Sequence, residues 1–340
     1  MMKFLKLDER ERELLFHTVG NENKISSTIL EKDFWVTWTL QYLFQEFPYR
    51  NQIVFKGGTC LSKVYAMIHR FSEDIDLAMD WSLLNIDKSI AYQERSNRQQ
   101  EFFNKAANEK TAEYLKNEWL PIMQKDFSDK LGNTYELYIE EDDPQTIIFR
   151  YPRFFSDPSI LQNIRLEIGA LAEPIPSEYR PIHTIMKNYL PKLFDEGDIF
   201  VNAVSTYRTF FEKITILHRE AYRTNGHYPK RYSRHFYDIF QLIKNGVGDE
   251  SLLHLDVLQK VVDFKKKFYP CKWAEYDEVM KGNCRLVCSD EAMEVYQKDY
   301  SIMQSMIYGD RTDFDIITAC LKEYEKKLNS AVLEWKLIHV

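Results

Sequence analysis

A short apolar strand, a glycine turn, a helix and a second strand follow one another between residues 52 and 80. The first strand is predicted over Gln52–Phe55, and Gly57 and Gly58 follow it closely. The second strand alternates acidic and apolar side chains from Asp74 onward, which is the period-two pattern of a half-buried strand. This pattern predicts a sheet that packs against helices.

The amounts of glycine and proline point to a helix-rich fold. The 340 residues include only 11 Gly and 11 Pro, fewer than a turn-dense all-β protein of this length needs. Hydrophobic residues make up 44% and charged residues 29%, which is ordinary globular composition and excludes a disordered chain. The formal net charge of −7 excludes a globally basic nucleic-acid binder but not a local basic patch. We therefore expect an α+β fold.

The remaining segments predict two domains, 1–175 and 176–340. Two helices are expected over residues 8–47, and an inserted helical pair near 83–130. The proline-spaced stretch Glu173–Ile182 is interpreted as a linker, and the chain is predominantly helical after it. Further strands are predicted at Tyr135–Glu141, Thr146–Phe155 and Asn163–Leu171, the first two as a hairpin. The first domain would hold a small mixed sheet flanked by helices, and the second would be a helical C-terminal domain.

Asp74 and Asp76 form the first candidate site. Residues i and i+2 of a strand project to the same face, so the two carboxylates can together bind a divalent cation, whereas Ile75 and Leu77 face the interior. Mg²⁺ prefers such hard oxygen ligands together with substrate phosphates. For an isolated pair of this kind, a solvated acidic strand edge is the commoner explanation.

The glycine turn beside this pair favours a functional site. Gly57 and Gly58 allow a ligand to approach the backbone closely, and the N-terminus of the following helix favours phosphate. Residues 51–70 contain no acidic residue. The same segment contains three basic side chains: Lys56, Lys63 and Arg70. The spacing is not that of a Walker A loop, but it predicts a phosphate site next to a metal site.

The segment Phe55–Asp80, FKGGTCLSKVYAMIHRFSEDIDLAMD, resembles the core of the AbiEii/AbiGii-type nucleotidyltransferase toxins, which belong to the DNA polymerase β-like nucleotidyltransferase superfamily. The preceding EKDFWVTWTL, Glu31–Leu40, is similar to the usual lead-in of that family. The resemblance is dense over residues 28–80 and patchy over 160–240. It implies a small mixed nucleotidyltransferase sheet and Mg²⁺-dependent transfer of a nucleoside monophosphate from an NTP.

The resemblance also implies a set of site residues. Asp74, Asp76 and Glu167 would hold two Mg²⁺ ions, with Mn²⁺ as an alternative, although aspartate is more usual at position 167. Lys213 and Asp238 would act in catalysis, with Lys213 also neutralising the triphosphate and Asp238 positioning the substrate. The remaining nucleotide-binding residues would be Gly57, Gly58, Thr59, Lys63 and Ser72. Three structural alternatives remain open: an exposed strand glutamate at 167, a snorkelling lysine at 213, and an Asp238 paired with Arg234.

Residues 205–235 suggest an anionic partner. Seven basic side chains face only two acidic ones there, and tyrosines and histidines are interleaved. The basic residues are Arg208, Lys213, Arg219, Arg223, Lys230, Arg231 and Arg234. Such a mixture suits an RNA end through phosphate contacts and base stacking, although a solvated helix face explains many charge runs.

The resemblance implies a toxin of a toxin–antitoxin or abortive-infection system, with a tRNA 3′ end as acceptor and a cognate antitoxin as partner. Two alternatives remain: nucleotidylation of a protein hydroxyl, and a non-catalytic nucleotide-binding regulatory module. Five scattered cysteines and the lack of an export signal predict a cytoplasmic protein with reduced thiols. No apolar run approaches the roughly 18 residues of a membrane span, so no membrane association is expected.

Overall fold

The computed structural model describes residues 1–70, 72, 74–157, 160–308 and 310–339, and its described strands form one mixed sheet. The strands are β1 (Ile53–Lys56), β2 (Asp74–Met79), β3 (Glu136–Ile139), β4 (Thr146–Arg150), β5 (Ile164–Gly169), β6 (Ser177–Ile182) and β7 (Ile199–Val204). Their order across the sheet is β3-β4-β5-β2-β1-β7-β6. The predicted hairpin is confirmed, because β3 and β4 pair antiparallel.

The two central strands carry the acidic residues. β2 pairs antiparallel with β1 and parallel with β5, and β5 pairs antiparallel with β4. Ile75 is fully buried and Leu77 nearly so, whereas Asp74 and Asp76 are only half-buried. The alternation of β2 therefore directs its apolar side chains into the core and both carboxylates to the other face.

Fourteen α-helices lie within the described residues. They are α1 (Met2–Leu5), α2 (Glu9–Asn23), α3 (Ser27–Gln41), α4 (Gly57–Lys63), α5 (Lys88–Ala91), α6 (Asn97–Tyr114), α7 (Leu120–Leu131), α8 (Thr206–Ala221), α9 (Ser233–Lys244), α10 (Val247–Ser251), α11 (Leu255–Phe268), α12 (Tyr276–Val279), α13 (Asp290–Met303) and α14 (Phe314–His339). In the part of the chain so described, no helix has both the length and the apolar character needed to span a membrane. The α+β fold predicted from the sequence is confirmed.

The chain divides into two compact units that are not continuous in sequence. The first comprises residues 1–64 and 73–203, and the second comprises 65–72 and 204–340. This division differs from the predicted boundary at 175, because β6 and β7 join the sheet of the first unit. The stretch interpreted as a linker contains β6, an edge strand, where Pro181 can be tolerated without a missing ladder hydrogen bond.

An aromatic core fills the first unit. Trp38 packs edge-on against Phe127, with ring centroids 4.7 Å apart, and Phe127 lies 5.0 Å from Phe149 of β4. Edge-to-face contacts of this kind stabilise beyond the burial of apolar area. Helices α3 and α7 are thereby fixed against the sheet.

The predicted helical pair near 83–130 is a single helical run. A π-helical turn at Leu115–Trp119 joins α6 to α7, and the joining residues keep right-handed helical dihedral angles. Pro121, in the first turn of α7, cannot donate a hydrogen bond to the preceding turn. A π turn placed before it accommodates the proline without breaking the helix.

Helices α8, α9 and α14 form the core of the second unit. Phe210 of α8 packs edge-on against Tyr324 of α14, 5.3 Å away, and Phe236 of α9 lies 5.6 Å from Phe314. The helix predicted over residues 60–70 is wrong beyond Lys63, where α4 ends. Residues 65–72 instead belong to this second unit, where Tyr65 donates a hydrogen bond to the Val204 carbonyl, 3.0 Å away.

Candidate active site

The glycine turn and Asp76 are in close contact. Gly57 has a φ of +79°, and a Cβ atom at this position would lie 1.8 Å from Oδ2 of Asp76. Only glycine satisfies both conditions, because an L side chain disfavours this φ and would overlap the carboxylate. Glycine is required here because the Asp76 carboxylate fills the space that a side chain at position 57 would take.

The other residues of the turn also connect it to β2. Thr59 is nearly fully buried, and its hydroxyl donates a hydrogen bond to the backbone carbonyl of Asp74. The register of β1 and β2 places Lys56 beside Asp76. Gly58 and Ser72, both predicted to bind nucleotide, are half-buried. The start of α4 and the start of β2 are thus held together, with both carboxylates at the junction.

Glu167 lies beside Asp76 on the neighbouring strand. The parallel register of β2 and β5 pairs Asp76 with Glu167 and Asp74 with Arg165. Paired residues share a face of the sheet, so three carboxylates line one face. Burial raises the pKa of Glu167 to about 7, the carboxylates of Asp76 and Asp74 add to the rise, and Arg165 opposes it. The position of Glu167 beside Asp76 thus rests on the strand register, and both aspartates act electrostatically on Glu167.

Arg165, which sequence reasoning missed, stands among these acids. Its Nε lies 3.7 Å from Oδ1 of Asp74 and 3.5 Å from Oε1 of Glu167. Its Nη1 is held more tightly by Glu140, at 2.5 Å. The contacts with Asp74 and Glu167 are long and do not form a bidentate fork. The alternation Arg165-x-Glu167 within the predicted strand was the available signal, since it places both side chains on one face.

The chemistry of the acidic residues suits a divalent cation, but their present arrangement is not a closed site. All three offer hard carboxylate oxygens, the ligands that Mg²⁺ prefers. Among the residues that the structure describes, no three His, Cys, Asp or Glu side chains are gathered so as to hold a metal ion. A cation bound by Asp74 and Glu167 would compete with Arg165 for them. These carboxylates fit the metal that the sequence predicts. Arg165 partly balances their negative charge.

Lys63, predicted to bind nucleotide, is engaged with Asp33 of α3. Its ammonium forms an ion pair with Oδ1 of Asp33 and is nearly buried. Oδ2 of the same aspartate accepts hydrogen bonds from the Ile185 backbone amide at 2.7 Å and the Thr184 hydroxyl at 2.9 Å. Asp33 therefore joins α3, α4 and the segment after β6. A role of Lys63 in nucleotide binding stays a prediction.

Lys213 and Asp238 lie in the second unit, where they form a buried cluster with Arg70. Arg70 donates two hydrogen bonds to the Asp238 carboxylate, at 2.7 and 2.8 Å, and Lys213 Nζ lies 2.8 Å from Oδ2. Burial alone would raise the pKa of Asp238, but Arg70 and Lys213 outweigh it and hold this pKa well below its usual range. The structure gives Asp238 a partner other than Arg234, and its catalytic role stays a prediction.

Four of the seven basic residues in 205–235 are used within the protein. Arg219 and Arg223 form ion pairs with the buried Glu220, at 3.0 and 2.6 Å. Arg208 is buried beside Glu212, and Lys213 pairs with Asp238. The part of the predicted basic patch that remains at the surface consists of Lys230, Arg231 and Arg234. The patch is therefore smaller than the count of charges indicates.

Sequence reasoning also missed Glu31, which begins the segment similar to the family's lead-in. It is fully buried in α3 and accepts hydrogen bonds from the backbone amides of Phe154 and Phe155, at 2.7 and 3.3 Å. Burial raises the pKa of Glu31 to about 7, although these two hydrogen bonds oppose the rise. Its position within the apolar run ILEKDFWV was the available signal.

We expect the buried Glu31 to make the free energy of unfolding depend on pH. A carboxyl whose pKa is raised on folding contributes stability below its unfolded pKa, here 4.5, and loses it as pH rises through about 7. At about 1.4 kcal/mol per pH unit, the loss approaches about 3 kcal/mol. Urea unfolding of Glu31→Gln between pH 4.5 and 8 should show a flatter profile than the wild type. Glu22→Gln, at an exposed position of α2, should leave the profile unchanged, and an unaltered slope in Glu31→Gln would contradict this assignment.

Carboxylates on adjacent strands beside a glycine turn, within a mixed sheet, are typical of enzymes that transfer nucleotidyl groups. The chain belongs to the family described as nucleotidyl transferase AbiEii toxin of type IV toxin–antitoxin systems, whose model matches residues 38–329. It is therefore a nucleotidyltransferase, and membership implies an NTP substrate and an antitoxin. The resemblance inferred from residues 55–80 is confirmed.

Among solved structures, this chain is similar to MenT4, a nucleotidyltransferase toxin from Mycobacterium tuberculosis H37Rv. The two chains are 15% identical with a TM-score of 0.42, and the alignment covers 90% of this chain and 93% of that one. No curated protein sequence matches this chain.

Proposed function

We propose that this toxin transfers a nucleoside monophosphate from an NTP to the 3′ end of an RNA, with tRNA as the acceptor, and that the reaction requires Mg²⁺. The observation that carries the proposal is the row of Asp74, Asp76 and Glu167 on one sheet face, with Asp76 against the Gly57 turn. A carboxylate row of this kind serves phosphoryl chemistry when a cation compensates its charge.

Several residues of the first unit would have separate roles in this reaction. Asp74, Asp76 and Glu167 would hold the divalent cation, which supplies charge neutralisation to the triphosphate when bound. Gly57 lets the Asp76 carboxylate lie against the β1–α4 turn, because glycine has no side chain to displace it. Lys56 lies beside Asp76 in the strand register and adds positive charge next to the phosphates. Arg165 offsets the negative charge of Asp74 and Glu167 before substrate enters.

The bond changes follow from the substrates. The 3′-hydroxyl oxygen of the acceptor bonds to the α-phosphorus while the bond between that phosphorus and the bridging oxygen to the β-phosphorus breaks. The hydroxyl proton is released, and pyrophosphate leaves. The attacking and leaving oxygens lie in line in such a displacement. No covalent intermediate with the protein is required.

The proposal is tested by incubating the protein with total tRNA, Mg²⁺ and each NTP labelled at the α-phosphate. We expect label on RNA with at least one NTP, none with the γ-labelled nucleotide, and none after addition of a chelator. Periodate oxidation of the tRNA 3′ end should abolish labelling, because the attacking hydroxyl is then lost. Asp76→Asn should reduce the rate by about 100- to 1,000-fold, a typical cost of losing one group that stabilises transition-state charge.

Asp142→Asn is the matched control, since Asp142 is an exposed carboxylate at the tip of the β3–β4 hairpin. It should label RNA at the wild-type rate. Label on protein in place of RNA would favour nucleotidylation of a protein hydroxyl. NTP binding with no transfer to either would favour a regulatory module, and equal activity of Asp76→Asn and the wild type would contradict the assignment of the site.

A further inference from the structure

An open polar cavity of about 570 Å³ lies at the end of the sheet where β5 begins. Its lining comes from the loop before β3, the end of β4 and the residues just before β5. Its lining includes Asn133, Glu136, Arg150, Arg153, Gln162 and Asn163. All of them belong to the first unit, and the proposed reaction has so far used none of them.

The strand register places part of the lining of this cavity on the same sheet face as the carboxylates. Thr146 of β4 pairs with Glu167, and Ile148 pairs with Arg165. Because side chains alternate along a strand, Arg150 is the next residue of β4 on that face. The end of β5 that carries Asn163 is also the end at which β2 begins with Asp74. Arg150 and Asn163 therefore continue the carboxylate row to the end of the sheet where the cavity opens.

The lining of the cavity combines positive charge with groups that can recognise a base. Arg150 and Arg153 outweigh the single acid, Glu136, which pairs with Arg150 at 2.8 Å. Arg153 donates a hydrogen bond to Gln162 Oε1. The buried Gln162 Nε2 and Asn163 Oδ1 make no hydrogen bond within the described part of the protein. Two guanidinium groups thus lie beside two buried amide atoms without partners, a combination that suits a phosphate and, once the amides rotate toward the cavity, a base edge.

The order of strands separates this cavity from the glycine turn. Gly57 follows β1, on one side of β2, whereas the cavity lies across β5 and β4 on the other side. Neighbouring strands are about 4.8 Å apart, so β4 lies roughly 10 Å from β2. If the triphosphate occupies the glycine turn, an in-line attack on the α-phosphorus must come from the opposite side. The cavity is on that side.

We propose that this cavity binds the unpaired 3′-terminal segment of the RNA acceptor, with Arg153 and Arg150 on its phosphates and Gln162 and Asn163 on a base. The inference rests on the proposed function, because it assigns the acceptor of the same reaction. The NTP is the other source of a nucleotide that could enter the cavity. If the cavity binds RNA, changes to its lining raise KM for RNA. If it binds the NTP, they raise KM for NTP.

The test compares steady-state constants for RNA and NTP in the full-length protein. Arg153→Ala should raise KM for RNA about tenfold, as expected for the loss of one charged contact, and leave KM for NTP within twofold. Asn133→Trp, at an exposed position of the rim, should fill the cavity and have a similar effect. Arg180→Ala is the matched control, since Arg180 is a half-exposed strand arginine paired with a nearby glutamate on the opposite sheet edge.

A second measurement needs no turnover: the fluorescence anisotropy of a labelled single-stranded RNA titrated with protein. Both cavity variants should weaken this binding about tenfold relative to Arg180→Ala. Unchanged RNA binding in both would overturn the inference, even if the wild type labels RNA normally. A rise of KM for NTP without a change for RNA would also overturn it, because the cavity would then hold the donor. If the wild type labels no RNA, the proposed function fails, and the anisotropy result alone decides whether the cavity binds RNA.

Discussion

Gly57→Ala should lose nucleotidyl transfer by at least about 100-fold, a loss typical of reacting groups misplaced by about 1 Å. The new methyl group would lie 1.8 Å from Asp76 Oδ2, so either the carboxylate or the turn must move. The φ of +79° adds about 1–2 kcal/mol of strain for an L residue. Transfer of α-labelled NTP to RNA and urea unfolding should be measured together.

Gly132→Ala separates the two effects. Gly132 also has a positive φ, +63°, but nothing lies within 4 Å of a Cβ atom placed there. This variant should lose stability through backbone strain and keep the wild-type rate of transfer. If Gly57→Ala and Gly132→Ala lost the same stability and both kept their activity, close contact between the glycine turn and Asp76 would have no part in the reaction.

Asp238→Asn should lower the free energy of unfolding by about 3–5 kcal/mol, the usual cost of removing one partner from a buried ion pair. The change leaves Arg70 and Lys213 buried with no carboxylate between them. Because the folded pKa of Asp238 lies below its ordinary value, its contribution is present above pH 3.8 and is lost as pH falls further. Urea unfolding at pH 7 measures the size of the effect, and its decline between pH 4 and about pH 2.5 measures the direction.

The control for this variant is Asp249→Asn. Asp249 pairs with Lys327 at 2.6 Å, but both side chains are more than half exposed, and such surface pairs contribute at most about 1 kcal/mol. If Asp238→Asn cost no more than Asp249→Asn, the buried cluster would not hold the second unit together. Loss of activity with unchanged stability would instead favour the direct catalytic role predicted for Asp238.

The position of the candidate site could be predicted because it depends on local patterns. The period-two alternation from Asp74 to Leu77 fixes which side chains face the core, and the structure follows it. Gly57 was recognisable because glycine is the residue suited to a positive φ. Glu167 was singled out by the family resemblance, and the alternation of β5 gives the face on which its side chain lies. Each of these features needs only a few neighbouring residues.

The partners of the charged residues could not be predicted, because they come from distant parts of the chain. Lys63 resembles a phosphate ligand in sequence, yet Asp33, thirty residues earlier, holds it. Asp238 pairs with Arg70, 168 residues away. The count of basic residues in 205–235 did not reveal that Glu220 neutralises Arg219 and Arg223 inside the protein. Charge counts describe composition, whereas the choice of partner is decided by tertiary packing.

The path of residues 65–72 has a consequence for how this toxin can be altered by recombination. These residues belong to the second unit although the chain on both sides of them belongs to the first. Arg70, which binds Asp238, is therefore encoded between the glycine turn and the strand of Asp74 and Asp76. A gene exchange confined to residues 204–340 would bring in Asp238 without the arginine that pairs with it in its own parent. Viable chimaeras should inherit the short 65–72 segment and the C-terminal half from the same parent.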